Sequence, residues 1–326
     1  MKYWVAVTGA GGYVGSHICK QLKFAGYDVI GVDRNHANNT HTHKFIDHVV
    51  DKSFVSTEFF DALEELKPIA VIHCAANSLV GPSVTNPTEY YDNNVTNMKL
   101  LLDQMVKLDI KNIVFSSSSS IYGNGHLPPV SEDYEKRPLT SYGKTKLIGE
   151  MMLEDYATAY GLNSISFRYF NACGADPEGD LGQVKDATHL VARIMENVTM
   201  GSEFSVYGND YDTPDGTCVR DYTHVSDIAQ AHVLGVLHLQ TNKGAFNYNL
   251  GSGTGSSVME IISTAQHAIT NGKVNYTVSE RRAGDPDCVY ADITKVKKEL
   301  NWQPQYQLDD IVKDAFNWYT KGFKNL

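Results

Sequence analysis

Tyr142 and Lys146 stand four residues apart in TSYGKTKLIGEMMLEDYATAYG, a stretch whose apolar residues at 148, 152 and 156 mark it as a helix. Residues at that spacing share a face, so the lysine ammonium can sit near the phenol and favour phenolate. An unperturbed tyrosine titrates at roughly 10, too high for a general base at neutral pH, and a neighbouring cation would lower it. Taken alone, the pair is also common in purely structural helices. Upstream, NIVFSSSSSIYGNG sets five serines between an apolar strand and a turn. The run is too short and too tightly bounded by apolar residues for a linker. Serines at the C-terminal end of a strand lie where open parallel sheets bind their ligands. Ser118 is thus expected to hydrogen-bond a reacting hydroxyl and hold it against Tyr142.

A second constellation opens the chain. VAVTGAGGYVG is a strand followed by Gly9, Gly12 and Gly15, with Tyr13 and Val14 inside the turn and a helix beginning at SHICKQL. Such glycines let the backbone turn sharply and approach a pyrophosphate at the positive end of the helix. The spacing is GxxGxxG, because position 14 is Val. The next strand, DVIGVD, ends at Asp33, about 20 residues on, where a carboxylate can accept hydrogen bonds from the adenine ribose. A carboxylate there repels a 2′-phosphate and favours NAD over NADP, although Arg34 directly afterwards could pair with such a phosphate. Asn35 completes this stretch.

Elements must position both groups. The first half alternates apolar strands with helix-like segments, the pattern of an α/β fold with a doubly wound parallel sheet. Residues 1–175 are expected to form this Rossmann-type domain. Residues 176–326, with short strands such as EFSVYG and AFNYNLG, are expected to form a smaller α/β substrate domain, part of 219–245 packing back on the first.

With 28 basic and 38 acidic residues, the net charge is -10, and no basic run suits nucleic acid. An anionic ligand would need individual arginines and helix N-termini. The five cysteines show no CxxC or zinc spacing and are expected to be reduced. The opening MKYWVAVTGAGG leaves no room for a signal peptide, and no apolar run approaches a membrane span, so the expected setting is cytoplasmic. His36, His41, His43 and His48 lie in a polar stretch that reads as a solvated loop rather than a metal site.

These motifs, with Asp51, CAANS at 74–78, YYDNNV at 90–95 and RYFN at 168–171, resemble the extended short-chain dehydrogenases/reductases. GNDYDTPDGTCVRDYTHVSD, NYNLGSGTGSSV and RRAGDPDCVYAD are similar to stretches of the UDP-glucose 4-epimerases, and the resemblance covers nearly the whole chain. It implies NAD as cofactor, with Asp51 and Lys52 beside the adenine and Cys74, Ala75, Ala76, Asn77 and Ser78 lining the nicotinamide half. Asn93, Ser116 and Phe170 join them, as do Tyr142 and Lys146. For a UDP-sugar it implies Ser118, Tyr142, Asn171, His189, Leu190, Val206, Tyr207, Arg220, Arg282 and Asp285. Two arginines suit bidentate hydrogen bonds to a pyrophosphate, although Arg220 and Arg282 could also form salt bridges with Asp221 and Asp285. A homodimer is implied as well.

The chain departs from the family pattern at His189, where many members have Asn, and in a shorter segment from Arg34 to Asp47. At Val289 some members carry a bulky Tyr beside the sugar C2 substituent, so Val leaves room for an N-acetyl group. The implied reaction oxidises C4 of the hexose, turns the 4-keto sugar and returns hydride to the other face. A 4,6-dehydratase would place Asp and Glu in the serine run, which has none. Decarboxylation of a UDP-uronate and 4-epimerisation of pentoses or uronates stay open, as does a non-catalytic NAD-sensing protein, which would be marked by loss of Tyr or Lys.

Overall fold

A computed structural model describes residues 3–35, 39–184, 187–269, 273–282 and 285–322. The elements in chain order begin with β1 (Trp4–Thr8), α1 (Tyr13–Phe24), β2 (Asp28–Val32), β3 (His48–Val50), α2 (Thr57–Leu66) and β4 (Ala70–His73). They continue with α3 (Val80–Thr85), α4 (Pro87–Tyr91), α5 (Asn97–Lys107), β5 (Asn112–Ser118), α6 (Ser141–Tyr160), β6 (Asn163–Tyr169), β7 (Asn171–Cys173), α7 (Leu190–Met200) and β8 (Ser205–Tyr207). The last are β9 (Val219–Arg220), β10 (Tyr222–His224), α8 (Val225–Leu239), β11 (Ala245–Leu250), β12 (Ser256–Ser257), α9 (Val258–Ala268), β13 (Thr277–Ser279), β14 (Cys288–Val289), α10 (Thr294–Leu300) and α11 (Leu308–Asn317).

The chain divides into two compact units. The first comprises Met1–Gly123, Glu135–Tyr169 and Ala229–Tyr248; the second comprises Asn124–Tyr134, Phe170–Ile228 and Asn249–Leu326.

In the first unit a seven-stranded sheet runs β11-β6-β5-β4-β1-β2-β3, with parallel pairing from β3 through to β6. Its central strands read VAV, VI and IVF because parallel strands flanked by helices are buried on both faces. Ile30, Val71, Ile113 and Phe115 pack with Phe59, Leu63, Met98, Leu101 and Leu153 of the helices in one apolar core. The strand order reverses between β1 and β4, so the crevice at their C-terminal ends is the expected ligand edge of a doubly wound sheet. Ser56 caps α2 through the Phe59 N–H, and Thr140 caps α6 through the Gly143 N–H. Gly161, at φ 66°, ends α6 in the left-handed conformation that glycine adopts without strain.

The second unit carries the small sheets β10-β7, β12-β9-β14 and β13-β8. Its core joins Val191, Ile194 and Met195 of α7, Ile261 and Ile262 of α9 and Val312 and Ala315 of α11 around Trp318.

Two expectations need correction. AFNYNLG is not a strand of a separate lobe: β11 is the edge strand beside β6 in the large sheet, a long-range pairing that no local pattern encodes. The histidine-rich segment is not simply a solvated loop. It contains a 3-10 helix at Thr40–Phe45 and leads into β3. Phe45 and Ile46 are buried, and Ile46 lies so close over Gly31 that a side-chain carbon there would approach within 2.7 Å. His36 lies outside the described residues.

Behind β5 and β6 the first unit buries an ion pair. Arg168 and Glu150, 2% and 3% exposed, join through Nε at 3.0 Å and Nη2 at 2.7 Å. Ser117 Oγ donates to the same carboxylate at 2.5 Å, and Arg168 Nη1 donates to the Tyr122 hydroxyl at 2.8 Å. Removing one partner leaves the other charge buried and uncompensated. Glu150→Ala is therefore expected to lose about 3–5 kcal/mol of stability in urea unfolding. A loss under about 1 kcal/mol would mean that the pair is not a structural anchor.

Candidate active site

The glycine turn behaves as its composition requires. Gly9 has φ +73°, and a side-chain carbon on it would lie 2.8 Å from the Ala75 amide nitrogen; one on Gly15 would lie 2.0 Å from the Gly9 carbonyl oxygen. Gly12 N–H donates to the Gly9 carbonyl at 3.0 Å and closes the turn. Gly12 is also the N-cap of α1, where no side chain caps the helix. An exposed Gly12 followed by half-buried Tyr13 and Val14 thus presents the positive end of α1 at the edge of the sheet. This backbone cradle, closed to any Cβ at Gly9 and Gly15, fits a dinucleotide pyrophosphate.

Asp33 sits at the end of β2, as expected. Its Oδ2 accepts from Gly11 N–H at 3.1 Å and its Oδ1 from Asn35 N–H at 2.9 Å. Each carboxylate oxygen retains a lone pair for a further donor such as a ribose hydroxyl. Gly11 was missed by a reading that counted only Gly9, Gly12 and Gly15, although a side-chain carbon there would come within 3.3 Å of the Asp33 carboxyl carbon. Arg34, Asn35, Asp51 and Lys52 are exposed, and Lys52 lies 3.9 Å from Glu58.

Residues 74–78 follow β4. Ala75 N–H donates to Thr8 Oγ1 at 3.2 Å, and Ser116 Oγ donates to Cys74 Sγ at 3.1 Å. Asn77 is held through its backbone: Asn94 Oδ1 accepts its N–H at 2.8 Å, and Asn94 Nδ2 donates to its carbonyl at 3.0 Å and to Thr145 Oγ1 at 3.1 Å. Asn93, expected at the cofactor, is buried beside Asn94 and donates to its Oδ1 at 3.2 Å. Both lie in a π-helical turn, Asp92–Thr96, whose wider winding accommodates the neighbouring buried amides. The sequence offered two adjacent asparagines and no means of telling which one ties the 74–78 segment to α6. Ala76 is half-buried and Ser78 exposed.

Ser118, Tyr142 and Lys146 come together as predicted. Tyr142, 9% exposed, is hydrogen-bonded to Ser118. Ser118 Oγ also donates to Ser120 Oγ at 3.1 Å and accepts from the Ser120 N–H at 3.2 Å. Lys146 is buried, donates to the Ser116 carbonyl at 2.6 Å and lies 5.8 Å from the centre of the Tyr142 ring. Gly143 permits this approach, since a side-chain carbon on it would meet the Ser120 carbonyl oxygen at 2.6 Å.

Burial dominates the electrostatics of this group in the chain itself. Burial pushes the Tyr142 phenol above its ordinary range, the hydrogen bond to Ser118 pulls it back, and the nearby Tyr90 pushes it up again. Burial likewise pushes Lys146 down to about 8, against the opposing influence of Cys74 and Glu150. The ammonium is spent on a backbone carbonyl, so the chain by itself favours a protonated phenol. Tyr169 OH extends the network, donating to Ser116 Oγ at 2.8 Å and lying 2.6 Å from His232 Nε2.

The second unit gathers the other predicted residues. Arg220 Nη2 pairs with Asp285 Oδ1 at 3.1 Å, and Nη1 donates to the Val219 carbonyl at 2.7 Å. Asp221 is not its partner and is turned inward. Arg282 stacks on Tyr207 at 4.1 Å, as Arg281 does on Tyr211 at 4.0 Å. Arg220 and Val289 are register partners in the β9-β14 pair. Asn171 Nδ2 donates to the Asp221 carbonyl at 2.7 Å, and Phe170 N–H donates to the Leu250 carbonyl at 3.4 Å. His189 N-caps α7, with Nδ1 2.8 Å from Gln183 Nε2, and Leu190 begins the helix. Val206 is buried in β8 and Tyr207 exposed at its end. A half-buried guanidinium at Arg220 and a stacked arginine and tyrosine suit a phosphorylated ligand.

All five cysteines are free thiols. Among the described residues, the one group with metal-ligand proximity is Asp176, Glu178 and Asp180, and no described helix is long and apolar enough to cross a membrane.

Residues 5–251 match the family model described as "NAD dependent epimerase/dehydratase family". The chain is 39% identical to the UDP-glucose 4-epimerase of Azospirillum brasilense over 319 residues, which cover 96% of this chain and 91% of that relative. Its structure is similar to that of UDP-glucose 4-epimerase from Brucella ovis in complex with NAD, with TM-score 0.93, 39% identity and coverage of 97% and 98% of the two chains. It is equally similar to UDP-glucose-4-epimerase from Stenotrophomonas maltophila with bound NAD and formylated UDP-arabinopyranose, with TM-score 0.94, 33% identity and coverage of 99% and 100%. With these likenesses spanning both units and the glycine turn and buried Ser-Tyr-Lys group in place, the chain belongs to the NAD dependent epimerase/dehydratase family.

Proposed function

We propose that this chain is an NAD-dependent UDP-hexose 4-epimerase that interconverts UDP-glucose and UDP-galactose, with its first unit binding NAD and its second the substrate. The division is not the single cut after residue 175 expected from sequence, because 124–134 and 170–175 fall in the second unit and 229–248 in the first. The observation that carries the reading is the buried Ser118-Tyr142-Lys146 group at the C-terminal end of β5. The serine run contains no carboxylate for dehydration, and the relatives named above support the epimerase over a dehydratase.

NAD, when bound, accepts hydride from C4 of the hexose and returns it, so a 4-keto sugar can be reduced on either face. Gly9, Gly12 and Gly15 with Tyr13 and Val14 hold its pyrophosphate, and Asp33, Arg34 and Asn35 the adenine ribose. Asp51 and Lys52 flank the adenine, while residues 74–78, Asn93, Ser116 and Phe170 take the nicotinamide half. Ser118 donates a hydrogen bond to the sugar 4-oxygen, and Tyr142 as phenolate removes its proton and later restores it. Lys146 and the positively charged nicotinamide would together favour the phenolate against the burial that raises it. Arg220 and Arg282 grip the diphosphate, which requires Arg220 to exchange part of its interaction with Asp285 for phosphate oxygens. Tyr207, Val206, Asn171, His189 and Leu190 complete the nucleotide-sugar contacts. A cytoplasmic homodimer completes the proposal, supported by family resemblance and, for the compartment, by the free thiols.

With UDP-galactose and no added NAD, the purified protein is expected to form UDP-glucose without net NADH; net NADH release would point to a dehydrogenase. Tyr142→Phe is expected to retain NAD and lose at least about 100-fold in kcat, and wild-type turnover in that variant would remove the base assignment. Val289 is small beside the position proposed for the sugar C2 group, so UDP-N-acetylglucosamine is expected to turn over too. Val289→Tyr should suppress that reaction and spare UDP-galactose. No measurable activity of the native protein on the N-acetyl substrate would contradict the assignment of Val289.

A further inference from the structure

Asp221 has no part in the chemistry just described, yet the second unit is built around its carboxylate. The side chain is fully buried. Its Oδ1 accepts from Ser252 N–H at 2.6 Å, Ser252 Oγ at 2.8 Å and Thr223 Oγ1 at 3.4 Å. Its Oδ2 accepts from Ala291 N–H at 3.0 Å and Gly253 N–H at 3.3 Å. The backbone carbonyl of the same residue accepts from both the N–H and the Nδ2 of Asn171. Gly251 leaves the space: a side-chain carbon there would lie 2.3 Å from Asp221 Oδ2.

These donors are not scattered. Asp221 directly follows β9, Ala291 lies two residues beyond β14, and Ser252 and Gly253 precede β12, so one carboxylate ties together the three strands of the β12-β9-β14 sheet. That sheet sets Val289 and Ser256 opposite Arg220. We infer that Asp221 is a positioning residue for the nucleotide-sugar clamp, holding Arg220, Val289 and Asn171 in their mutual register. The inference rests on the proposed reading that these three residues meet the substrate.

A buried carboxylate satisfied by backbone N–H groups is a rigid anchor, because losing its charge leaves several inward-pointing donors without an acceptor. Burial pushes its carboxyl above the ordinary range despite those donors. Turned inward, Asp221 leaves Arg220 Nη2 to Asp285, 3.1 Å away.

The test uses UDP as probe, with affinity measured by calorimetry on the NAD-loaded protein and kcat measured at saturating UDP-galactose. Asp221→Asn is expected to weaken UDP about ten-fold or more, with NAD content and kcat retained. Ser252→Ala, which removes a single donor, should show a smaller loss in the same direction. Val312→Ala, in the apolar core of the same unit, supplies a destabilised control whose UDP affinity should be unchanged. Native UDP affinity in Asp221→Asn, or an equal loss in Val312→Ala, would overturn the proposal by reducing Asp221 to a stability role. If Asp221→Asn does not fold, Ser252→Ala decides, and unchanged affinity there overturns it. Arg220→Ala separates the two claims. Native UDP binding in that variant refutes the clamp itself, whereas weakened binding there with native binding in the Asp221 and Ser252 variants refutes the positioning role alone.

Discussion

Helix α6 is pressed against the end of strand β5, and the first unit's chemistry depends on that contact. Tyr142 meets Ser118, Lys146 meets the carbonyl of Ser116, and Glu150 meets Ser117. Four helical residues rise about 6 Å and two strand residues about 6.6 Å, so the step from Tyr142 to Lys146 matches the step from Ser118 back to Ser116. The helix therefore runs against the strand, as the return limb of a parallel crossover must. Gly143 makes the contact close, since any side chain there would collide with the Ser120 carbonyl. The serine run is thus a row of separate contacts, of which those at Ser118 and Ser116 are spaced as the pitch of the helix lying over them.

Closeness has an electrostatic consequence. Burial disfavours charge on both Tyr142 and Lys146, raising one and lowering the other. Beneath them, Glu150 and Arg168 neutralise each other and tie α6 to β5 and β6. In the second unit another buried carboxylate, Asp221, serves its sheet without a cationic partner, through hydroxyl and backbone donors. Each unit thus organises its functional residues around an interior carboxylate, one paired with arginine and one with N–H and O–H groups.

Much of this was legible in the residues. The alternation of apolar strands with helices, the glycines before α1, Asp33 ending β2 and the Tyr-Lys spacing are local patterns, and local patterns survive folding. What was not legible depends on long-range pairing. β11 joins the large sheet beside β6 across some eighty residues of intervening chain. Asn94, in a π-helical turn, bridges Asn77 to Thr145, a contact between distant segments that no local pattern marks. Asp221 looked like a possible surface partner for Arg220, since adjacent opposite charges suggest pairing, but strand geometry sends neighbouring side chains to opposite faces. Nor could the sequence reveal how strongly burial acts on the Tyr142 phenol, or that a backbone carbonyl takes the Lys146 ammonium.

Gly143→Ala tests the close approach of α6 to β5 most directly, because it adds one methyl at the contact and removes no functional group. The measurement is kcat for UDP-galactose epimerisation alongside the NAD content and UDP affinity of the purified variant. Displacing Tyr142 from Ser118 should lower kcat by at least about ten-fold, with the protein folded, NAD retained and UDP bound as tightly as before. Native kcat in folded Gly143→Ala protein would contradict the account, since the proposed chemistry would then not depend on the contact that brings the serine, tyrosine and lysine together.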